Sequence, residues 1–329
     1  MLLLSLVVAA TATVWLWNDY RRFVRSPLET GKLPLHYTLE QGATLRTVAA
    51  DLEARGVVRT ARYLRLLGRE RGDAQRIKAG EYLIQRGATP QTLLDLFVSG
   101  RVLEYSLTLV EGWTFRRVMA AVRGNEILRS TLPAEAGDKE IMAAIGHPSQ
   151  HPEGRFFPDT YRFPRATTDV EFLRRAYERM NLILEKEWTQ RSVDLPLESA
   201  DEALILASII EKETGLASER AHVAGVFTRR LQQGMRLQTD PTVIYGMGES
   251  FDGDLRRRDL RKDTPYNTYT RAGLPPTPIA IPGREAIHAA LHPADGDALY
   301  FVASGDGGHQ FSATLREHNR AVRRYQLKK

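Results

Sequence analysis

The sequence predicts an α+β fold with an N-terminal transmembrane helix, small repeated α+β units and a mixed α/β domain that contains a glutamate-bearing helix. Three observations lead to this prediction: the apolar run MLLLSLVVAATATVWLW, three copies of the pattern G-x-T-x-x-x-[VL], and the stretch LILASIIEKETG. From the places where these patterns begin and end, we predict an anchor at residues 1–20, a repeat region at 33–122 and a larger domain at 123–329.

The apolar run at residues 1–17 would form a helix of ~25 Å at ~1.5 Å per residue, at the short end for a bilayer crossing. Trp15 and Trp17 lie where an interfacial aromatic belt belongs, and arginines follow them. A cleaved signal peptide is the alternative, because the A-T-A sequence at 10–12 resembles a cleavage site. The following arginines would by the positive-inside rule keep the rest of the chain in the cytoplasm, although a large domain can translocate regardless.

Gly42, Gly87 and Gly112 each begin one copy of the repeated pattern, with an alternating stretch before it and a helical pattern after it. The physical interpretation is a strand, a tight glycine turn and a threonine that caps the next helix. The predicted units resemble LysM-type modules, which bind N-acetylglucosamine polymers. A structural spacer without a ligand is the alternative.

Glu211 and Glu213 follow a run of apolar residues that is suited to a buried helix. They would lie about 200° apart around the helix axis and so face different ways. Glu213 stacks over bulky side chains such as Ile209, whereas Glu211 stacks over small ones such as Ala207. Burial against the bulky side would raise the pKa of Glu213, as a general acid near neutral pH requires. A solvated helix end is the alternative.

Two later stretches, MRLQTDPTVIYGMG and TPYNTYTRAGLPPTPIAIPG, are rich in hydroxyl, amide and flat aromatic groups, which are suited to binding sugars. For Asp240, which precedes Pro241, a helix cap is the alternative role. The candidate ligand-binding residues are Gln238, Asp240, Tyr245, Asn267, Thr268 and Tyr269.

The sequence predicts no metal site and no cofactor. His147 and His151 have H-x-x-x-H spacing, but the prolines at 148 and 152 disfavour a helix there. The sequence contains no cysteine, and neither a G-x-S-x-G elbow nor a phosphate-binding glycine loop is found. The 46 basic and 40 acidic residues give a net charge of +6, but the basic residues are scattered. We therefore predict no nucleic-acid partner; an anionic polymer or a membrane surface fits better.

The stretches ASIIEKET, MRLQTDPTVIYGMG, YNTY, GLPP and YFVASGDGGHQFSATLREHN resemble the YceG-like family, the endolytic murein transglycosylases of bacteria. The resemblance implies a single-pass inner-membrane protein with a LysM-like subdomain and a catalytic region in the periplasm. Peptidoglycan glycan strands and cell-wall synthesis proteins are the partners it implies. The catalytic acid of lytic transglycosylases is a glutamate followed by Ser or Thr near a helix end. Glu213-Thr214 fits that pattern, whereas Glu211-Lys212 does not.

From the resemblance and the facing argument together, we expect Glu213 to protonate the glycosidic oxygen between N-acetylmuramic acid and N-acetylglucosamine. As a carboxylate it would then take the proton of the muramyl C6 hydroxyl, which attacks the anomeric carbon and leaves a 1,6-anhydro end. Two alternatives stay open. One is a peptidoglycan hydrolase that uses Asp240 as a second carboxylate; the other is a non-catalytic, membrane-tethered scaffold that binds glycan.

Overall fold

A computed structural model describes residues 2–28 and 34–327, apart from the side chains of residues 2, 3 and 5. The predicted α+β class is confirmed, because short two-stranded sheets alternate with helices in the described residues. The chain forms two compact units: unit 1 contains Met1–Tyr105 with Arg162–Thr167, and unit 2 contains Ser106–Tyr161 with Thr168–Lys329.

Unit 1 is built from one long helix and a small α+β arrangement. Its elements are α1 (Leu2–Arg25), β1 (Leu35–Leu39), α2 (Leu45–Ala54), α3 (Ala61–Glu70), β2 (Gly80–Ile84) and α4 (Pro90–Ser99). β1 and β2 are antiparallel, with Tyr37 opposite Tyr82, and both rings are buried in the core of this unit.

The repeated pattern folds as a tight glycine turn followed by a threonine cap. Each glycine has a φ between 76° and 82°, a conformation that residues with a Cβ rarely adopt. Each threonine accepts a hydrogen bond from a backbone N–H in the first turn of the next helix, which satisfies a donor that the helix leaves free. The prediction is confirmed at all three places: Gly42 with Thr44, Gly87 with Thr89, and Gly112 with Thr114.

The division between the two units runs through a pair of strands. These are β3 (Glu104–Thr108) and β4 (Thr160–Pro164), which form a two-stranded sheet. The third glycine turn, at Gly112, therefore belongs to unit 2. The predicted repeat region at 33–122 begins at a residue outside the described ones and continues past this division.

α1 has exposed apolar side chains along most of its length up to Trp17, among them Val7 and Trp15, and buries Tyr20 and Phe23 near its end. Within residues 2–28 and 34–327, no helix is both long enough and apolar enough to cross a membrane. The anchor at residues 1–20 stays a prediction.

Unit 2 is mainly helical and contains a central buried helix, α8. Its elements are α5 (Phe115–Arg123), α6 (Asp138–Ala144), α7 (Asp169–Thr189), α8 (Ala200–Glu213), α9 (Arg220–Gln232), α10 (Asp240–Met247), α11 (Arg257–Arg261), α12 (Arg284–Leu291), β5 (Tyr300–Ala303), β6 (His309–Ser312) and α13 (Leu315–Tyr325). β5 and β6 pair in antiparallel orientation.

α8 is packed by α7, α9 and α12, and every residue from Ala203 to Ile210 is buried. A helix that is apolar all round is expected to be buried on all its faces. The bulky side of α8 is buried, as the expected burial of Glu213 requires, but the small side below Glu211 packs as well. Both glutamates of the last turn, Glu211 and Glu213, therefore lie at the end of a helix that is buried on all its faces.

Candidate active site

Glu213 is the last residue of α8, and the extended backbone of Thr214 ends the helix there. Its Oε2 accepts a hydrogen bond of 2.6 Å from the hydroxyl of Thr239, which precedes the first residue of α10. Burial raises the pKa of Glu213; the hydrogen bond from Thr239 opposes this rise, and the charge of Asp240 adds to it. Glu213 therefore retains its proton at a higher pH than an ordinary glutamate does.

Thr239 is itself fixed by two buried threonines. Its backbone N–H donates to the Thr268 hydroxyl at 3.1 Å, and the hydroxyls of Thr268 and Thr242 lie 2.9 Å apart. All three side chains are buried, so water does not compete for these bonds. The threonine cluster, Thr239, Thr242 and Thr268, thus holds the donor that orients Glu213.

Three of the predicted ligand-binding residues, Gln238, Asp240 and Tyr269, lie close to the threonine cluster: the first two flank Thr239, and Tyr269 follows Thr268. The Tyr269 hydroxyl donates to Asp240 Oδ1 at 2.6 Å, and the backbone N–H of Gln238 donates to the carbonyl of Thr268 at 3.1 Å. Gln238 and Asp240 are exposed, and Gln238 has a positive φ of 49°. The helix-cap role for Asp240 is not observed, because Thr239 occupies the cap position.

Asn267 and Thr268 are buried, and their side chains are engaged by the chain itself. The Asn267 amide donates to the carbonyls of Asp259, Leu260 and Lys262, and its Oδ1 accepts the N–H of Tyr269. In this arrangement, these two side chains shape the loop that presents Tyr269, and they offer no free group to a ligand.

Glu211 lies on the other side of α8 and has a different partner. Its Oε2 accepts the backbone N–H of Gly283, at the start of α12, at 3.0 Å. Burial raises its pKa too; the bond from Gly283 opposes the rise, and the nearby Glu111 adds to it. This hydrogen bond connects the end of α8 to the backbone of the residue that precedes α12.

A cavity of about 910 Å³ in unit 2 adjoins α5 and α10 and is lined by the predicted residue Tyr245 and by Lys212. It also contains Glu153, which sequence reasoning missed. Glu153 is buried and accepts the backbone N–H of Phe115 at 2.9 Å and the Tyr245 hydroxyl at 3.0 Å. Burial raises its pKa to about 7. One signal was available, since Glu153 begins the aromatic segment EGRFFPDTYRFP.

Arg230 and His309 also influence Glu213, and both lower its pKa by their charge. Arg230 is buried and donates to the carbonyls of Leu299 and Leu237. His309 binds Glu219 twice, by its backbone N–H and by Nδ1, each at 2.8 Å. His309 lies in the stretch YFVASGDGGHQFSATLREHN, but no pattern in the sequence marked it as a site residue.

Comparison with known proteins gives consistent matches along the chain. The YceG-like family matches residues 37–324. An endolytic murein transglycosylase of Bacillus subtilis is 30% identical over 324 residues, which cover 93% of this chain and 89% of that protein. Another, of Streptococcus pneumoniae, is 27% identical over 319 residues; the match covers 86% of this chain but only 57% of that protein's length. A crystal structure of a YceG-like protein from Listeria monocytogenes has 29% identity and a TM-score of 0.53, covering 87% of this chain and 98% of that one.

Proposed function

The chain belongs to the YceG-like family, and on this basis we propose that it is a lytic transglycosylase that cleaves peptidoglycan strands between N-acetylmuramic acid and N-acetylglucosamine. The relatives named endolytic murein transglycosylase support the class of reaction. One observation supports the choice of Glu213 as the acid. Its carboxyl is partly buried at the end of α8, has a raised pKa and is oriented by Thr239.

In the first step, neutral Glu213 donates its proton to the glycosidic oxygen, and the bond from that oxygen to the muramyl anomeric carbon breaks. Because the Thr239 hydroxyl donates to Oε2, the proton of the acid resides on Oε1. In the second step, the Glu213 carboxylate takes the proton of the muramyl C6 hydroxyl, whose oxygen forms the new bond to the anomeric carbon. The products are a 1,6-anhydro end and a free N-acetylglucosamine end, and no water is consumed.

Two exposed side chains and one half-buried side chain near Glu213 are suited to holding the glycan. Gln238, Asp240 and Tyr269 offer amide, carboxylate and aromatic groups at the edge of the two loops. Tyr245 would contact sugar from the adjoining cavity, where its hydroxyl is bound to Glu153. The buried side chains of Asn267 and Thr268 bind the backbone N–H groups of Tyr269 and Thr239 and so hold this surface in place.

The rival mechanism is a hydrolase in which Asp240 is the second carboxylate. Asp240 is exposed and its Oδ1 accepts the Tyr269 hydroxyl, so its carboxylate is available in this region. In the transglycosylase mechanism, Asp240 has a different role: its charge raises the pKa of Glu213. The two mechanisms differ in the product that they form.

The experiment is digestion of purified glycan strands in water labelled with heavy oxygen, followed by mass spectrometry. A transglycosylase gives muramyl ends that are lighter by one water and carry no label. A hydrolase gives labelled, reducing muramyl ends. Labelled reducing ends as the main product would overturn the proposed mechanism, and absence of any cleavage by the wild-type chain would favour a glycan-binding scaffold.

The proposed location is the inner membrane, with residues 1–20 as a single-pass anchor, the catalytic domain at 123–329 in the periplasm and cell-wall synthesis proteins as partners. The exposed apolar side chains of α1, such as Trp15 at 67% exposure, support the anchor. The region at 33–122 is proposed to be a LysM-like module. A mature protein that begins at Met1 and needs detergent is the expected result; a mature terminus near Thr13 would contradict the anchor.

A further inference from the structure

Three potential metal ligands lie together in unit 2 where the end of α7 meets α12. Glu187 is near the C-terminal end of α7, His288 is on α12, and His292 directly follows that helix. One ligand atom from each residue can be chosen so that all three lie within 4.8 Å of one another. His147 and His151, the pair with H-x-x-x-H spacing, are not part of this group.

The two histidines are one helical turn apart, and their rings are stacked with centroids 4.3 Å apart. His288 Nδ1 lies 2.9 Å from Glu187 Oε2, and His292 Nδ1 lies 3.3 Å from the Ser192 hydroxyl. A hydrogen-bonding partner on one ring nitrogen orients an imidazole and leaves the other nitrogen for a ligand bond. Ser192 thus supplies the kind of orienting contact that metal-binding histidines have.

We propose that Glu187, His288 and His292 bind one divalent cation of the zinc class. Two imidazoles and one carboxylate are a donor set that suits Zn²⁺, Co²⁺ or Ni²⁺, whereas Mg²⁺ and Ca²⁺ prefer oxygen donors throughout. A cavity of about 500 Å³ adjoins the three residues and leaves room for water as a fourth ligand. The Glu187 side chain is only 9% exposed, so its carboxylate is held in place for the ion.

The ligand atoms must move closer together to form a tetrahedral site. Ligands bound at ~2.0–2.1 Å lie ~3.3 Å apart, so the observed span of up to 4.8 Å has to shrink by a rotation of side chains. The His288 side chain is 58% exposed and can rotate without displacing core atoms. The required change therefore involves surface rotamers and leaves the backbone in place.

Arg284 competes with the cation for Glu187. Its Nε lies 3.4 Å from Glu187 Oε1, and its side chain is 52% exposed. The guanidinium neutralises Glu187 when no ion is bound, and it can swing into solvent when the ion replaces it. The ion would then connect α7 to α12, two helices that both pack against α8.

The test is titration of the untagged, full-length chain with Zn²⁺ in a calorimeter and with Co²⁺ in a visible spectrometer, after removal of bound metal with a chelator. One equivalent of either ion should bind, and excess Mg²⁺ or Ca²⁺ should not displace it. His288→Gln and His292→Gln should each bind at least tenfold more weakly, because glutamine retains a hydrogen-bonding group but is a poor zinc ligand. His36→Gln, in unit 1, is the matched control and should bind as the wild type does.

Arg284→Gln should change the affinity for Zn²⁺ in the opposite direction. It should bind Zn²⁺ several-fold more tightly, since the competing cation is gone. Thermal melting without metal shows whether each variant is folded. The proposal is overturned if the wild type binds no stoichiometric ion, if the two histidine variants bind as tightly as the His36→Gln control, or if Arg284→Gln binds more weakly than the wild type.

Discussion

Two glutamates, one in each unit, are withdrawn from water but have pKa values shifted in opposite directions. In unit 1, the Glu81 side chain is 8% exposed and accepts bonds of 2.7 Å from Arg165 and from the Tyr105 hydroxyl. The bond from Arg165 is the main cause that lowers its pKa to about 2. In unit 2, Glu213 has the neutral Thr239 hydroxyl as its bonded partner, and burial raises its pKa.

The difference shows that burial alone does not determine the protonation state of a carboxyl. Burial penalises the charged form in both places, and a bonded guanidinium reverses the sign, whereas a hydroxyl does not. Glu81 is therefore an anion at neutral pH, whereas Glu213 keeps its proton at a higher pH than an ordinary glutamate does.

Replacing the proton donor has the largest expected effect. Glu213→Gln should abolish anhydro product, because each of the two proton transfers is typically worth ~100-fold or more. Glu211→Gln is the matched control on the other side of α8 and should retain most activity, since its partner is the backbone N–H of Gly283. Turnover is measured by mass spectrometry of the anhydro ends, and circular dichroism checks the fold. A reversed order of the two variants would identify Glu211 as the acid.

Glu153 should produce a pH dependence of stability that resembles Glu213 and not Glu81. Its pKa rises on folding from 4.5 to about 7, so the folded chain keeps a proton that the unfolded chain has released. Stability should fall as the pH rises through that range, by roughly 3 kcal/mol in all.

Glu153→Gln should remove this fall, because the amide does not ionise. Denaturation curves at about pH 5 and pH 8 measure the effect for the wild type and the variant. If the wild type and Glu153→Gln lose the same stability between the two pH values, Glu153 is not the group that titrates.

Two substitutions beside Glu213 should shift the pH profile of turnover in opposite directions. Thr239→Val removes a bond that lowers the pKa of Glu213, so the alkaline limb should move to higher pH. Asp240→Asn removes a charge that raises it, so the same limb should move to lower pH. The measurement is kcat/KM against pH.

Asp240→Asn also separates the two mechanisms. A single-acid transglycosylase should keep turnover except where binding suffers, whereas a hydrolase that needs Asp240 should lose nearly all of it. Shifts of the same sign in Thr239→Val and Asp240→Asn would contradict the assigned environment of Glu213.

The smallest expected effect is in unit 1. Arg165→Gln should lower stability by about 1 kcal/mol or less, because the guanidinium is partly exposed and solvent screens the pair. Since the folded pKa of Glu81 is below 4.5, its contribution is present above pH 4.5 and is lost as the pH falls toward about 2. Unfolding midpoints between those values should fall less steeply in Arg165→Gln than in the wild type. An equal slope would mean that Arg165 does not set the pKa of Glu81.

Local patterns were the part of the structure that the sequence could predict. The glycine turns and the threonine caps each depend on a few neighbouring residues, and both were located correctly. The burial of Glu211 was not predicted, because it depends on α12, whose residues lie far along the chain.

Long-range contacts explain the other differences. Glu153 is 92 residues from Tyr245, so no local pattern connects the two. The polar composition around Asn267 predicted a ligand-binding loop, but composition does not tell which polar side chains point inward. Asn267 and Thr268 point inward and Tyr269 does not.

Unit 1 is assembled from two separate stretches of chain, and this has a consequence for biosynthesis. Arg165 is translated 84 residues after Glu81, so the Glu81 carboxylate has no guanidinium partner until the whole first segment of unit 2, Ser106–Tyr161, has been made. A fragment that stops at residue 105 would keep Glu81 without its guanidinium. A protease that cuts once between residues 106 and 161 would likewise leave unit 1 divided between two polypeptides. We therefore expect unit 1 to gain this ion pair only after about residue 165 has been synthesised, and the pair to add about 1 kcal/mol or less to its stability.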